Sequence, residues 1–184
     1  MEKSSITFKE KIFLNEIKKQ CDYALIAYNS MNDSLLNKST KMFWYSLQNF
    51  LISTANISKI LWPPNKKYQK RGQSLKKKLK IDEKSPLKNR EFRNHFEHYD
   101  ERLEKWANSK HNNFYIDSNI GPLNSIKISN IKNVSTISQR HFDPTTFTLI
   151  FQGKELEILP IVNEIKRISN QIDNILNNSY IQKP

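Results

Sequence analysis

Residues 86–107 read PLKNREFRNHFEHYDERLEKWA. Ser85 is a good N-cap and Pro86 a good first helical residue. Phe92, Phe96, Tyr99, Leu103 and Trp106 then recur at spacings of four, three, four and three. That is one apolar stripe at helical period, so the stretch predicts a long helix from Pro86 to Ala107. Its other faces carry Arg93, Asn94, His95, Glu97, His98, Asp100, Glu101 and Arg102. Two histidines and two arginines within three turns make this helix the place where chemistry is expected.

Working outward, residues 7 to 30 predict a first helix with Phe8, Ile12, Phe13, Ile17, Cys21, Ala24, Leu25 and Tyr28 on its apolar face, ended by the NSMNDS stretch. A second runs from Thr40 to Leu61 and stops at Pro63-Pro64, because proline cannot continue the ladder. Between it and Pro86 lies a short helix, Gln73 to Lys80. With only Leu75, Leu79 and Ile81 to bury, it is expected to pack weakly. Downstream, residues 110–138 read as a long connection with a turn at Gly121-Pro122 and a short strand near Tyr115. Thr146 to Phe151 and Glu155 to Ile158 form a β-hairpin about Gln152-Gly153-Lys154, with Arg140 to Asp143 as a third strand. A helix from Pro160 to Asn177 closes the chain. The fold class is therefore mainly α. It is one domain spanning residues 1–184, a bundle of four to five helices. Residues 109–158 supply the connection and the β elaboration beside the C-terminal helix.

The 184 residues carry a formal net charge of +12. From Lys66 to Arg93 there are twelve Lys or Arg against three Asp or Glu, so nine of those net charges sit in one stretch. Such a block attracts polyanions. The cations expected to hold RNA are Lys66, Lys67, Lys70, Arg71, Lys76, Lys77 and Lys78. An anionic membrane surface is the weaker alternative, because the block lacks a strong apolar face. Cys21 is the only cysteine, so no disulfide forms within the chain. With no signal-like run and no membrane-length apolar segment, a cytoplasmic protein that does not engage membranes is expected.

Glycine occurs only at 72, 121 and 153, too few and too scattered for a phosphate loop or a dinucleotide fingerprint. No nucleophile elbow is present. His95-Phe96-Glu97-His98 sets two histidines three apart, whereas a zinc-protease pair stands four apart on one face, so no metal is expected. No cofactor is implied. Metal-free phosphodiester chemistry remains. Histidine moves protons near neutral pH, arginine forks onto a phosphate, and RNA brings its own 2′-hydroxyl nucleophile.

Arg93-Asn94-His95-Phe96-Glu97-His98 has the form Arg, four residues, His, with a polar residue directly after the Arg. It resembles the R-x4-6-H motif of the HEPN superfamily, small all-α domains of prokaryotic toxins, anti-phage systems and CRISPR-associated ribonucleases. The resemblance implies an up-down helical bundle, a homodimer or pseudo-dimer whose two Arg/His sets share one cleft, and metal-independent endoribonuclease activity. Carried over, Arg93 binds the scissile phosphate, Asn94 orients it and His98 serves proton transfer or charge stabilisation. An antitoxin or defence-system protein is a further implied partner. Some HEPN toxins carry a modified Tyr two residues after the His; here Asp100 holds that position and Tyr99 precedes it.

Helical phase divides the polar residues. With Phe92 at zero and about 100° per residue, His95 falls at the core border, as a half-buried structural histidine, and Arg93, Asn94 and His98 face away. The bland alternatives are an i,i+4 ion pair of Arg93 with Glu97 and, for His98, a solvated helix face with i,i+4 pairing to Arg102. Arg93 and His98 lie about 140° apart, so one cleft needs the long Arg side chain to wrap round or a second protomer to approach. Glu97, Asp100, Glu101 and Glu104 would repel RNA, which keeps a second reading open: a non-catalytic module binding RNA, a nucleotide or a protein.

Overall fold

The computed structural model of the chain describes residues 4–89, 98–108, 116–123 and 138–181. Helix α1 runs Phe8–Leu36. It opens on a capping box: Thr7 Oγ1 accepts from the Glu10 N–H at 3.1 Å, and the Glu10 carboxylate accepts from the Thr7 N–H at 2.9 Å. It runs six residues beyond its expected end. The polar NSMNDS run stays helical because its small side chains find partners on the helix surface. Ser34 Oγ donates to the Ser30 carbonyl at 2.6 Å, Ser30 Oγ meets Ser46 Oγ at 2.8 Å, and Met31 is fully buried.

Helix α2, Thr40–Leu61, follows the predicted span. It folds back on α1 and buries Phe43, Leu47, Phe50, Ile57 and Leu61. The last helix, α5 (Ile158–Asn178), covers the other side of α1 with Ile161, Ile165, Ile168 and Ile172. Lys18 of α1 fastens it, donating to Ser169 Oγ at 3.0 Å and lying 3.4 Å from Asp173. Its hydrogen bond to Asp22, despite partial burial, raises the Lys18 pKa, and the charge of Asp173 adds to this.

A 3-10 turn, Lys66–Tyr68, leads into α3, Gln69–Lys78. Contrary to the expectation of weak packing, α3 is seated firmly: Leu75 and Leu79 are 0% exposed. Burying two leucines stabilises by roughly 3–6 kcal/mol before entropy is counted. Gly72 makes the approach possible. A Cβ there would stand 2.6 Å from the Leu61 carbonyl oxygen and 2.7 Å from the Pro63 ring.

The helix expected over Pro86 to Ala107 is not continuous. Pro86–Lys88 is a 3-10 turn, and Asn89 is extended at φ −63°, ψ 115°. Regular helix, α4, spans Tyr99–Ala107, with His98 as its non-helical N-cap at φ −121°, ψ 41°. Tertiary contacts override the local start signal. Ser85 makes no capping bond; its hydroxyl donates to Glu164 of α5 at 3.1 Å. Leu87 is buried beside Leu51 and Ile161 instead of continuing a helix. Residues 90–97, with Phe92, Arg93, Asn94, His95, Phe96 and Glu97, lie outside the described residues, as do Tyr115 and the strand expected near it.

The β elaboration is a four-stranded mixed sheet in the order β2 (Asn119–Ile120), β3 (Arg140–Asp143), β4 (Thr148–Phe151), β5 (Lys154–Glu157). The β4–β5 hairpin turns on Gln152 and Gly153, both at positive φ (50° and 82°), which suits the right-handed twist of the strands. Phe142 carries the sheet onto the bundle, its ring 4.6 Å from Phe43 and 5.2 Å from Phe147. Trp44 Nε1 of α2 donates to the Ser118 carbonyl at 2.8 Å. His141 lies on the expected third strand, β3, and is fully buried, because period-2 pairing turns it away from Phe142 into the sheet's other face. Two further strands, β1 (Ser4–Ile6) and β6 (Ser179–Ile181), pair in parallel. The architecture is thus mostly helical, with a small sheet packed on α2.

Candidate nucleic-acid interface

The basic surface is built by the turn that ends α2. Pro63 and Pro64 stop that helix, and Asn65 restarts the chain by accepting the Lys67 N–H on its side chain at 2.9 Å. This sets Lys66, Lys67 and Lys70 on the outside with Lys77 one helical face onward, all exposed. Among them Tyr68 is 43% exposed. Its ring is flanked by Lys67 Nζ at 5.7 Å and the Arg71 guanidinium at 5.4 Å from the centroid. Cations beside an accessible aromatic ring are the elements with which single-stranded nucleic acid is held: charge for the backbone, a π-face for a base.

The seven expected cations therefore divide. Lys66, Lys67, Lys70 and Lys77 point to solvent. Arg71 lies 4.4 Å over the Phe13 ring and donates to the Ile60 carbonyl, clamping α3 to α1 and α2. Lys78 stands 3.5 Å from Glu10, which also accepts from Ser74 Oγ at 2.8 Å. Burial alone would raise the Glu10 carboxyl. Hydrogen bonds from Thr7 and Ser74, with the Lys78 charge, hold it below the ordinary carboxylate value. Lys76 lies 5.3 Å over the Trp62 ring and 3.7 Å from the exposed Glu83. A surface pair of this kind is weak, so Lys76 can exchange Glu83 for a phosphate. Tyr68 escaped attention because a single aromatic in a lysine run has no periodic signal; the interleaved KKYQKR composition is the cue to it.

Of the three expected catalytic residues, His98 is described, while Arg93 and Asn94 lie outside the described residues. The His98 side chain is 56% exposed at the head of α4. Its carbonyl begins the helix by accepting the Arg102 N–H at 3.1 Å. Its ring Nδ1 faces Glu101 at 3.6 Å, so the expected i,i+4 partner Arg102 is replaced by an i,i+3 carboxylate. Asp100 and Glu101 occupy the first turn of α4, where negative charge offsets the unpaired N–H groups of the helix start. Their acidity thus has a local structural purpose. Helix α4 leans on the sheet: Gln139 Nε2 donates to the Tyr99 hydroxyl at 3.3 Å and Gln152 Nε2 to the Arg102 carbonyl at 3.3 Å. The α3 surface, in contrast, is anchored on the opening turn of α1 and the end of α2.

No protein-family model, curated protein or solved structure matches this chain. Among the described residues no group of three His, Cys, Asp or Glu is placed to hold a metal ion, and no helix is long and apolar enough to cross a membrane. His141 is buried with its Nδ1 2.9 Å from Asn119 Nδ2; burial lowers its pKa, against the Gly121 backbone and the Asp143 charge. A histidine held neutral inside a sheet does not serve an exposed phosphate. Of the described histidines, His98 is the one exposed to solvent.

Proposed function

We propose that the chain is an RNA-directed domain of HEPN type, a metal-independent endoribonuclease that acts as a dimer in a prokaryotic toxin or defence system. The observation that carries the RNA part is the α3 surface, where Lys66, Lys67, Lys70 and Lys77 stand exposed around the accessible ring of Tyr68. The chemistry rests on the resemblance of Arg93-Asn94-His95-Phe96-Glu97-His98 to the R-x4-6-H motif, and the exposure of His98 at a helix head agrees with it. In this reading Arg93 binds the scissile phosphate, Asn94 orients it, and His98 assists attack by the 2′-hydroxyl or departure of the 5′-oxygen. Exposed apolar side chains, Met42, Tyr45 and Ile52 on α2 with Tyr23 and Ile26 on α1, offer surface for a second copy.

The test is incubation of the purified protein with RNA in EDTA. Wild type is expected to leave 2′,3′-cyclic phosphate ends, and His98→Ala and Arg93→Ala to abolish cleavage. Cleavage that survives both substitutions refutes the assigned site.

A second reading, an RNA-binding module without catalysis, draws on the carboxylates around His98. Asp100, Glu101 and Glu104 are all exposed there, and Glu101 contacts the ring. It predicts salt-sensitive RNA binding with no turnover in any metal condition.

A further inference from the structure

The elbow between α2 and α3 encloses a cleft of about 150 Å³, lined by Leu61, Trp62, Pro63, Gln69, Gln73 and Lys76. We propose that this cleft receives one unstacked base of a single-stranded RNA whose backbone runs along the lysines of α3. The inference rests on the RNA reading given above and narrows it to a substrate class and a base-binding site.

The lining is suited to a base rather than to a phosphate alone. One wall is apolar and rigid: Leu61 and Trp62 end α2, and Pro63 fixes the turn. The opposite wall carries the amides of Gln69 and Gln73, one helical turn apart on α3 and therefore on one face. Among the described residues neither amide is engaged in a hydrogen bond. Each amide offers a donor and an acceptor, the combination found on base edges, whereas a phosphate presents acceptors only and would leave both amide carbonyls facing negative oxygen. Lys76 stands at the rim, 5.3 Å from the centre of the Trp62 ring. Its contact with exposed Glu83, at 3.7 Å, is one that an arriving phosphate can displace. Lys70 and Lys77 project from the adjacent face of α3, where the sugar-phosphate chain on either side of an inserted base would lie.

A duplex cannot make this arrangement without unpairing, since its base edges are already engaged and its bases stacked. The surface therefore selects single strands, and the lysines alone would not. The cleft depends on Gly72, which lets α3 approach the end of α2 closely enough to form the second wall.

The experiment measures binding of the full chain to a fluorescein-labelled twelve-nucleotide RNA, as a single strand and as a duplex, across a salt series. The single strand is expected to bind at least tenfold more tightly. The double variant Gln69→Ala/Gln73→Ala is expected to lose about tenfold on the single strand, two modest hydrogen bonds being removed, with the salt slope unchanged. Both glutamines are exposed, so folding is not at stake. A variant Lys70→Ala/Lys77→Ala is expected instead to flatten the salt slope on both RNAs. Equal binding of single strand and duplex, with the glutamine variant behaving as wild type, overturns the base site and leaves RNA binding standing. Absence of any RNA binding by wild type overturns both.

Discussion

Replacing Gly72 by alanine tests how α3 is held. In an exposed helix interior this change stabilises by about 1 kcal/mol, through helix propensity. Here the sign is expected to reverse. The added Cβ would meet the Leu61 carbonyl oxygen at 2.6 Å and the Pro63 ring at 2.7 Å. Neither neighbour can turn aside. The Leu61 carbonyl belongs to the last turn of α2, and the Pro63 ring is fixed to the backbone. Overpacking of this kind costs about 1–3 kcal/mol, and the contacts are short enough to sit at the upper end of that range. Subtracting the propensity gain leaves a net loss of about 1–2 kcal/mol. If α3 lifts rather than strains, the loss is bounded by the burial of Leu75 and Leu79, both 0% exposed. For a chain of this size the melting temperature should fall by about 2–8 °C. Urea unfolding followed by circular dichroism measures the difference directly, with Lys70→Ala on the exposed face of α3 as a control that should change little. An alanine variant more stable than wild type would refute the close packing of α3 on α2.

Three further outcomes follow from the interior. Cys21 is buried in α1 with its thiol pushed up to about 12, chiefly by burial, so a thiol reagent at neutral pH should label it only after denaturant is added. Immediate labelling of the native protein would place α1 wrongly. The carboxyls of Glu10, Asp117 and Asp143 are held below their ordinary values: burial opposes this, but Ser74 and Thr7, Arg140, and Thr145 with the Leu123 N–H, respectively, outweigh it. A depressed carboxyl lends stability that is full above the unfolded pKa, about 4, and is lost as pH falls through the folded one, so melting temperature should drop steeply below pH 4. His141 is depressed too, and its share of stability is present above about pH 6.5 and declines as pH falls below that. His141→Gln should therefore flatten the stability profile below about pH 6.5.

The helices that bury a continuous stripe were legible from the chain alone. Helix α2 has Phe43, Leu47, Phe50, Ile57 and Leu61 at helical spacing, with Thr54 filling the one missing turn, and a double proline to end it. Period 2 and an adjacent Gln-Gly likewise exposed the β4–β5 hairpin. Illegible elements were those whose local signal is overruled from a distance. Ser85-Pro86 is written as a helix start, yet the Ser85 hydroxyl is taken by Glu164, 79 positions later in the chain. The NSMNDS run is written as a stop, yet Ser46 across the hairpin satisfies it. Parallel pairing of β1 with β6 has no local signature, since its register joins residues at opposite ends of the described chain. In the candidate site, the lysine block was visible as charge. Its division into cations that face solvent and cations that face Glu10, Phe13 and Trp62 depends on the tertiary packing of a ten-residue helix. His98 was visible as a motif residue, and its carboxylate partner was not, because His98 is an N-cap rather than a member of a continuous helix.

The β1–β6 pair also has a mechanical side. Ser4 lies opposite Ser179, and Ile6 opposite Ile181, in parallel register. Pulling residue 4 and residue 181 apart along the strands loads the ladder in shear, so its bonds must yield together rather than one by one. The helices attached immediately behind each strand, α1 and α5, are shielded from that tension until the clasp gives way. Once it does, the Lys18 contacts to Ser169 and Asp173 become the next point of resistance.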